Sequence, residues 1–206
     1  MPLPPEIIFR FERNLERSEE LIKVYIQSVS GKGRKSVKQT DVLRAAVVFL
    51  HASLEDLLRS VLKYTYPINA SKDFINEIPL TGIQKGGRPE KFFLGALLDF
   101  RGKLVDDVVK QSITEYLEVI SFNDTTEIVS RLEKAKIKYL DDTLNLLPKI
   151  DSMIKRRHAI VHQADENVDT GHGKHHANRI NKWIVSDWIE NIRKFGEEII
   201  RLASSI

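Results

Sequence analysis

The sequence contains no cysteine among its 206 residues. A disulfide, a thiolate zinc site and a cysteine nucleophile are therefore excluded. It also lacks any apolar run near the roughly 18 uninterrupted residues that a membrane-spanning helix needs. The N-terminal stretch MPLPPEIIFRFERNLER has no apolar core like that of a secretory signal peptide. We therefore expect a cytoplasmic protein that does not use a membrane as a partner.

An excess of charge of one sign is also missing. The 32 Lys and Arg residues nearly balance 29 Asp and Glu residues, which gives a net charge of +3 and an isoelectric point near 9.0. Such a small excess permits a nucleic-acid partner but does not require one. With 42% hydrophobic and 30% charged residues, the chain has enough apolar side chains for a sizeable core.

Alternating strand patterns are absent, and helical periodicity dominates the sequence. Pro4 and Pro5 suit the start of a first helix, which we expect to end near residues 30–31. Thr40 or Asp41 is expected to cap a second, strongly amphipathic helix. The last helix is predicted to bury one apolar face, consisting of Ile184, Trp188, Phe195, Ile199 and Leu202.

The regular pattern breaks between Pro67 and Pro89, where prolines and glycines predict a long structured loop. Helical spacing then returns, and the sequence Asn123-Asp124-Thr125 predicts the start of a short helix through Leu132. We therefore expect an all-α fold. It is a helical bundle within a single domain, 1–206, that carries a helical and loop insertion, about 67–135, between the second helix and the helix near residue 150.

The segment IDSMIKRRHAIVHQAD, residues 150–165, carries the most informative pattern. On a helical wheel with Ile150 at zero, Arg157 falls at about 340°, in the middle of the apolar stripe. A buried guanidinium is costly unless acceptors neutralise it. His158, His162 and Asp165 fall at about 80°, 120° and 60°, along one border of the stripe. Packing alone does not require this group, which makes it a candidate site.

The order Arg157, His158, three apolar residues and His162 resembles the R-x4-6-H signature of the HEPN superfamily. These are small helical bundles that include metal-independent ribonucleases, and the sequence resembles their RiboL-PSP-associated group in particular. The family commonly has Asn, Asp or His after the arginine, as His158 is here. Glu55 on the second helix similarly resembles a carboxylate that many HEPN proteins place near this pair.

The resemblance implies a metal-independent endoribonuclease without a cofactor, acting in prokaryotic defence or in a toxin–antitoxin system. RNA carries its own nucleophile, the 2′-hydroxyl, so the protein has to move protons and stabilise charge on phosphate. Histidine transfers protons at neutral pH, which fits His162. Arginine offers a fork of donors to phosphate oxygens, which fits Arg157. His158 is expected to act as a second proton carrier or an orienting group.

The remaining predicted site residues support this chemistry. Glu55 and Asp165 are expected to support the catalytic pair, while Lys155, Arg156 and the basic loop 32–38 supply affinity for the RNA backbone. The histidines of GHGKHH, residues 171–176, are not assigned a metal, because no cysteine or carboxylate lies at a familiar ligand spacing. We therefore predict no metal site.

Two other interpretations remain open. The chain is alternatively a non-catalytic HEPN module that binds RNA, a nucleotide or a protein partner through the same residues. It is alternatively a structural helical adaptor in which Arg157 is salt-bridged and Glu55 pairs locally with Arg59. Incubation of the purified protein with labelled RNA, with and without EDTA, distinguishes an endoribonuclease from these two alternatives.

A homodimer is also predicted. Arg157 lies in an apolar stripe that includes Val161, where a monomer core would bury its charge without a partner. If this stripe meets its symmetry mate, two copies of Arg157 and His162 converge on one cleft. HEPN proteins are similarly known as dimers with composite sites. The resemblance further implies a protein antitoxin or regulatory partner.

Overall fold

The computed structural model describes residues 2–29, 35–81, 94–138, 141–166 and 177–205. Within these ranges the chain forms eight α-helices and one 3-10 helix, Leu94–Phe100. The α-helices are α1 (Pro5–Ser28), α2 (Val37–Asn69), α3 (Lys72–Ile75), α4 (Val105–Glu118), α5 (Thr125–Lys134), α6 (Asp141–Leu144), α7 (Leu147–Gln163) and α8 (Lys182–Ser204). The only β-type pairing among the described residues is one isolated bridge between Glu166 and Ala177. The all-α prediction is confirmed.

The starts of the first two helices follow local capping chemistry. Pro5 opens α1, where a missing N–H costs nothing. Helix α2 begins earlier than expected, because Ser36 and Gln39 form a reciprocal capping box. The predicted cap at Thr40 or Asp41 was therefore wrong. Ser36 lies within the basic segment that the sequence predicted to be a loop, so its role as a helix cap was not predicted.

Helix α2 also runs further than predicted, through Pro67 to Asn69. Leu62 and Tyr66, in the turn before its end, are 0% and 1% exposed, and their burial holds that turn in place. Helix α3 follows almost at once and buries Phe74 against the Tyr66 ring, with centroids 4.9 Å apart. The expected long loop was thus wrong for residues 67–75, while residues 82–93 lie outside the described ranges.

The predicted insertion is largely helical and adds to the core. Asp124 caps α5, as expected, by accepting hydrogen bonds from the Thr126 and Glu127 N–H groups. Helices α4 and α5 both pack against α2. Their core side chains, together with that of the segment between them, are fully buried: Ile113, Leu117, Phe122, Ile128 and Leu132.

The other side of α2 packs against α1, α7 and α8. Trp188 and Phe195 of α8 are buried as predicted, but Ile184 is 40% exposed because the buried face begins at Val185. At Gly196 three helices approach closely, and an added Cβ would clash with the Phe11 ring and lie 2.9 Å from Leu57 Cδ2. None of the described helices is long and apolar enough to cross a membrane.

Candidate functional site

The motif-bearing helix, α7, leaves the core at its C-terminal half. Ile150, Met153 and Ile154 are buried, whereas Val161 is 48% exposed. Arg157 therefore lies at the boundary between the core and the surface, with its side chain partly buried. The predicted stripe is therefore buried at Ile150 and Ile154 and exposed at Val161.

Arg157 faces α2. Its Nε atom is buried and has no hydrogen-bond partner among the described residues. Its positive charge lies near enough to His51 of α2 to lower the pKa of that imidazole. No carboxylate in the described part of the chain forms an ion pair with the Arg157 guanidinium, whose charge acts on His51.

His158 and His162 lie on the exposed side of α7, next to Arg157 in sequence. Both side chains are exposed, and their ring centroids are 4.6 Å apart with planes tilted by 43°. One helical turn separates the two residues, which places both rings on one face. The predicted pairing of these two imidazoles is therefore present, with both rings accessible from solvent.

Glu55 of α2 binds the segment between α4 and α5. One carboxylate oxygen, Oε1, accepts a hydrogen bond from Phe122 N at 3.2 Å and lies 3.6 Å from the Arg59 guanidinium. The predicted local pair with Arg59 is thus present. No described ion pair or hydrogen bond joins Glu55 to Arg157 or His162, so its supporting role stays a prediction.

His51 is a site residue that sequence reasoning did not assign. It is 1% exposed, with Nε2 3.3 Å from Phe122 O and Nδ1 3.9 Å from Glu55 Oε2. Burial lowers the pKa of His51, the Glu55 carboxylate raises it, and Arg157 lowers it again. His51 is therefore influenced by both the carboxylate of Glu55 on α2 and the cation of Arg157 on α7. Its position four residues before Glu55, inside an apolar helix, was the available signal.

Asp165 has a different environment from the one its wheel position indicated. The helix ends at Gln163, and Ala164 and Asp165 adopt left-handed backbone conformations with φ of 50° and 57°. This turn buries the carboxylate completely, 2.6 Å from Arg44 Nε and 2.8 Å from the Arg156 guanidinium. Asp165 thus anchors the end of α7, and its bound partners are these arginines.

Arg156 belongs to the same cluster. Its guanidinium donates to the carboxylate of Asp165 and to the carbonyl oxygens of Asn178 and Arg179, the latter two at 3.1 Å. Arg44, which sequence reasoning also missed, donates to Asn178 O at 2.7 Å. The prediction that Arg156 binds RNA remains untested, and these internal contacts do not favour it.

Lys155, three residues before His158 on α7, is exposed to solvent. Its side chain is 76% exposed, and Nζ lies 2.7 Å from Asp151 Oδ2. This hydrogen bond raises the pKa of Lys155, and the carboxylates of Asp151 and Asp124 add to the effect. The predicted RNA contact through Lys155 is compatible with this position. Residues 32–34 of the predicted basic loop 32–38 lie outside the described ranges, as do residues 167–176 with their histidines. The loop prediction was wrong for residues 37–38, which form the first turn of α2.

Comparison with known families gave one match. The family model described as RiboL-PSP-HEPN matches residues 12–205, which include the predicted insertion. No curated protein and no solved structure matched the chain. Within the described ranges, no group of three or more His, Cys, Asp or Glu side chains is arranged to hold a metal ion.

Proposed function

Because the chain belongs to the RiboL-PSP-HEPN family, part of a superfamily made up generally of metal-independent ribonucleases, we propose that it is an endoribonuclease acting on cytoplasmic RNA. The observation that carries the proposal is the exposed His158–His162 pair beside the partly buried Arg157. Two proton carriers and one cation on adjacent surface are the groups that phosphodiester cleavage by the RNA 2′-hydroxyl needs.

In the proposed reaction, His162 removes the proton from a 2′-hydroxyl, and the oxygen attacks the adjacent phosphorus. The bond from phosphorus to the 5′-oxygen breaks, and His158 supplies the proton that this leaving oxygen takes up. The products are a 2′,3′-cyclic phosphate and a 5′-hydroxyl end. Arg157 holds the non-bridging phosphate oxygens and stabilises the charge that develops on them.

We propose that the active form is a homodimer. Arg157 and His162 are about 140° apart on the helical wheel, so two copies bring both residue types to one phosphate more easily than one helix does. The exposed Val161 lies between them in sequence and offers an apolar contact for the second copy. Repulsion between two Arg157 side chains would be relieved by a bound phosphate.

We propose further that the activity serves prokaryotic defence or a toxin–antitoxin pair, in which a protein partner restrains the nuclease. The second candidate function is a non-catalytic module that binds RNA, a nucleotide or a protein. The internal contacts of Arg156 and the net charge of +3 favour this alternative with a nucleotide or a protein as the ligand, because they leave few cations for a long RNA path.

The test is cleavage of labelled single-stranded RNA by the purified full chain in EDTA. We expect cleavage to persist and to leave cyclic-phosphate ends. Arg157→Ala and His162→Ala are each expected to reduce the rate by 100-fold or more, in the range of about 10²–10⁴ typical for loss of such groups. Arg201→Ala, at the far end of α8 from the site, removes an exposed arginine as the matched control.

Three results would contradict the proposal. Loss of cleavage in EDTA with recovery on adding a divalent ion would refute the metal-independent mechanism. Full activity of either site variant would mean that other residues carry the reaction. Absence of cleavage, with RNA binding that depends on Arg157, would favour the non-catalytic module.

A further inference from the structure

The His158–His162 pair has a second chemical property besides proton transfer. The two imidazoles are one turn apart on a helix, exposed, and not hydrogen-bonded to any described group. Two imidazoles that share one Zn²⁺ through bonds of about 2.0–2.1 Å at a roughly tetrahedral angle have ring centroids about 5 Å apart. The centroids observed here are 4.6 Å apart. The pair is therefore already close to the spacing that a shared metal ion requires.

We propose that His158 and His162 chelate a divalent ion of the zinc class and that this ion reversibly inhibits the protein. Imidazole nitrogen suits Zn²⁺ and Cu²⁺, while Mg²⁺ and Ca²⁺ prefer oxygen ligands. The ion is an inhibitor in this proposal, and it has no part in the cleavage reaction.

The surroundings of the pair set the strength of the site. Arg157 and Lys155 are adjacent cations, and they lower the affinity for a dication. Asp151, which pairs with Lys155, and Asp124 offset part of that charge. With no third protein ligand in the described ranges, water completes the coordination sphere. The site is thus weaker than a structural zinc site and exchanges its ion readily.

Inhibition of RNA cleavage by the bound ion rests on the proposed function. A nitrogen lone pair that is bonded to a metal ion cannot accept a proton from the 2′-hydroxyl, so occupancy of the site stops proton transfer. The chelate itself depends on the positions of the two rings and not on the proposed function.

The first experiment measures Zn²⁺ binding to the full chain by competition with a chromophoric chelator. It uses a variant in which His172, His175 and His176 are replaced by Ala, because this run contains three further histidines. We expect one ion per chain, and a loss of affinity of about ten-fold or more on His158→Ala or His162→Ala, because the second ligand binds at a high effective concentration. The matched control is Gln163→Ala, which changes the adjacent exposed side chain. Unchanged affinity in both histidine variants, with circular dichroism showing intact helices, overturns the chelate.

The second experiment measures RNA cleavage as Zn²⁺ is added, with Mg²⁺ at the same concentration as the control. We expect inhibition over the concentration range in which the first experiment finds binding, and full recovery on adding EDTA. Zn²⁺ binding without inhibition of RNA cleavage overturns the proposed inhibition, whereas the proposed chelate stands. If the protein cleaves no RNA under any condition, the proposed function and the inhibitory half both fail, while the binding measurement still decides the chelate.

Discussion

His51 is a buried imidazole on which the charges of Glu55 and Arg157 act in opposite directions. Its environment favours the neutral form, since burial lowers the pKa of His51 and Arg157 lowers it further, although Glu55 opposes them. In the unfolded chain the imidazole regains the ordinary histidine pKa near 6.5. Below that pH the unfolded chain therefore binds a proton that the folded chain does not take up.

We expect acidification to destabilise the protein through this residue. Above about pH 6.5, His51 does not change the free energy of unfolding. As the pH drops from there towards the lowered pKa of His51, the free energy of unfolding falls by at most about 1.4 kcal/mol per pH unit. Urea unfolding at pH 7.5 and 5.5 measures the loss. His51→Gln keeps an N–H donor for Phe122 O and should show a smaller loss across this interval.

The control is the interval from pH 7.5 to 8.5, where histidine is neutral in both states and the two proteins should change in parallel. If the wild type and His51→Gln lose stability equally between pH 7.5 and 5.5, His51 does not carry the effect.

At the scale of single residues, helical spacing correctly placed His158 and His162 on one side of α7, because both residues lie within one regular helix. It failed for Asp165, because α7 ends two residues earlier in a left-handed turn that contains no glycine. The usual sequence signal for such a turn was missing. Arg44 and Arg156 were missed as its partners because the three residues meet only after α2 and α7 pack together.

The buried carboxylate of Asp165 joins three elements: the start of α2, the end of α7 and the segment before α8. Arg44 reaches it from α2, and Arg44 also binds Asn178 O. Loss of the negative charge would leave the buried Arg44 with only the exposed carboxylate of Asp41, and the partly buried Arg156 with no carboxylate in the described part of the chain. Removing one partner of a buried ion pair is strongly destabilising.

We expect Asp165→Asn to destabilise the protein by about 3–5 kcal/mol. Asparagine keeps the size of the side chain and tolerates the left-handed backbone. It removes the negative charge and turns one acceptor oxygen into an amide donor. Asp41→Asn is the matched control: Asp41 also pairs with Arg44, at 3.3 Å, but its side chain is 57% exposed. The control should cost about 1 kcal/mol or less. Equal unfolding midpoints for the two variants would show that Asp165 carries no special charge pairing.

At the scale of helices, periodicity predicted α1, α5 and α8 because each has one apolar face and a clear start. It failed at Pro67, where the turn containing Tyr66 stays helical although an interior proline costs about 3 kcal/mol. Burial of Leu62 and Tyr66 against other helices offsets that cost, and such contacts are invisible in a single stretch of sequence.

At the scale of the whole molecule, the proposed homodimer predicts the mass of the protein in solution. Light scattering at micromolar concentration should give about twice 23.7 kDa. Val161→Arg should give the monomer mass and reduce cleavage, because it adds a positive charge beside two copies of Arg157 where the two α7 helices meet. Val24→Arg, on another surface valine that is 47% exposed, should remain dimeric. A wild-type monomer that cleaves RNA at its full rate would refute the composite site.

The close approach of three helices at Gly196 also offers a means of genetic control. Gly196→Ala forces a methyl group into the Phe11 ring and should cost about 1–3 kcal/mol, although alanine is the better helix former by about 1 kcal/mol. Each kcal/mol lowers the melting midpoint by roughly 2–4 °C in a chain of this size. Gly95→Ala, which meets no atom within 4 Å, should leave the midpoint unchanged or slightly higher. A strain that carries Gly196→Ala should therefore behave as a heat-sensitive allele, with normal protein at low growth temperature and rapid loss of function after a shift upward.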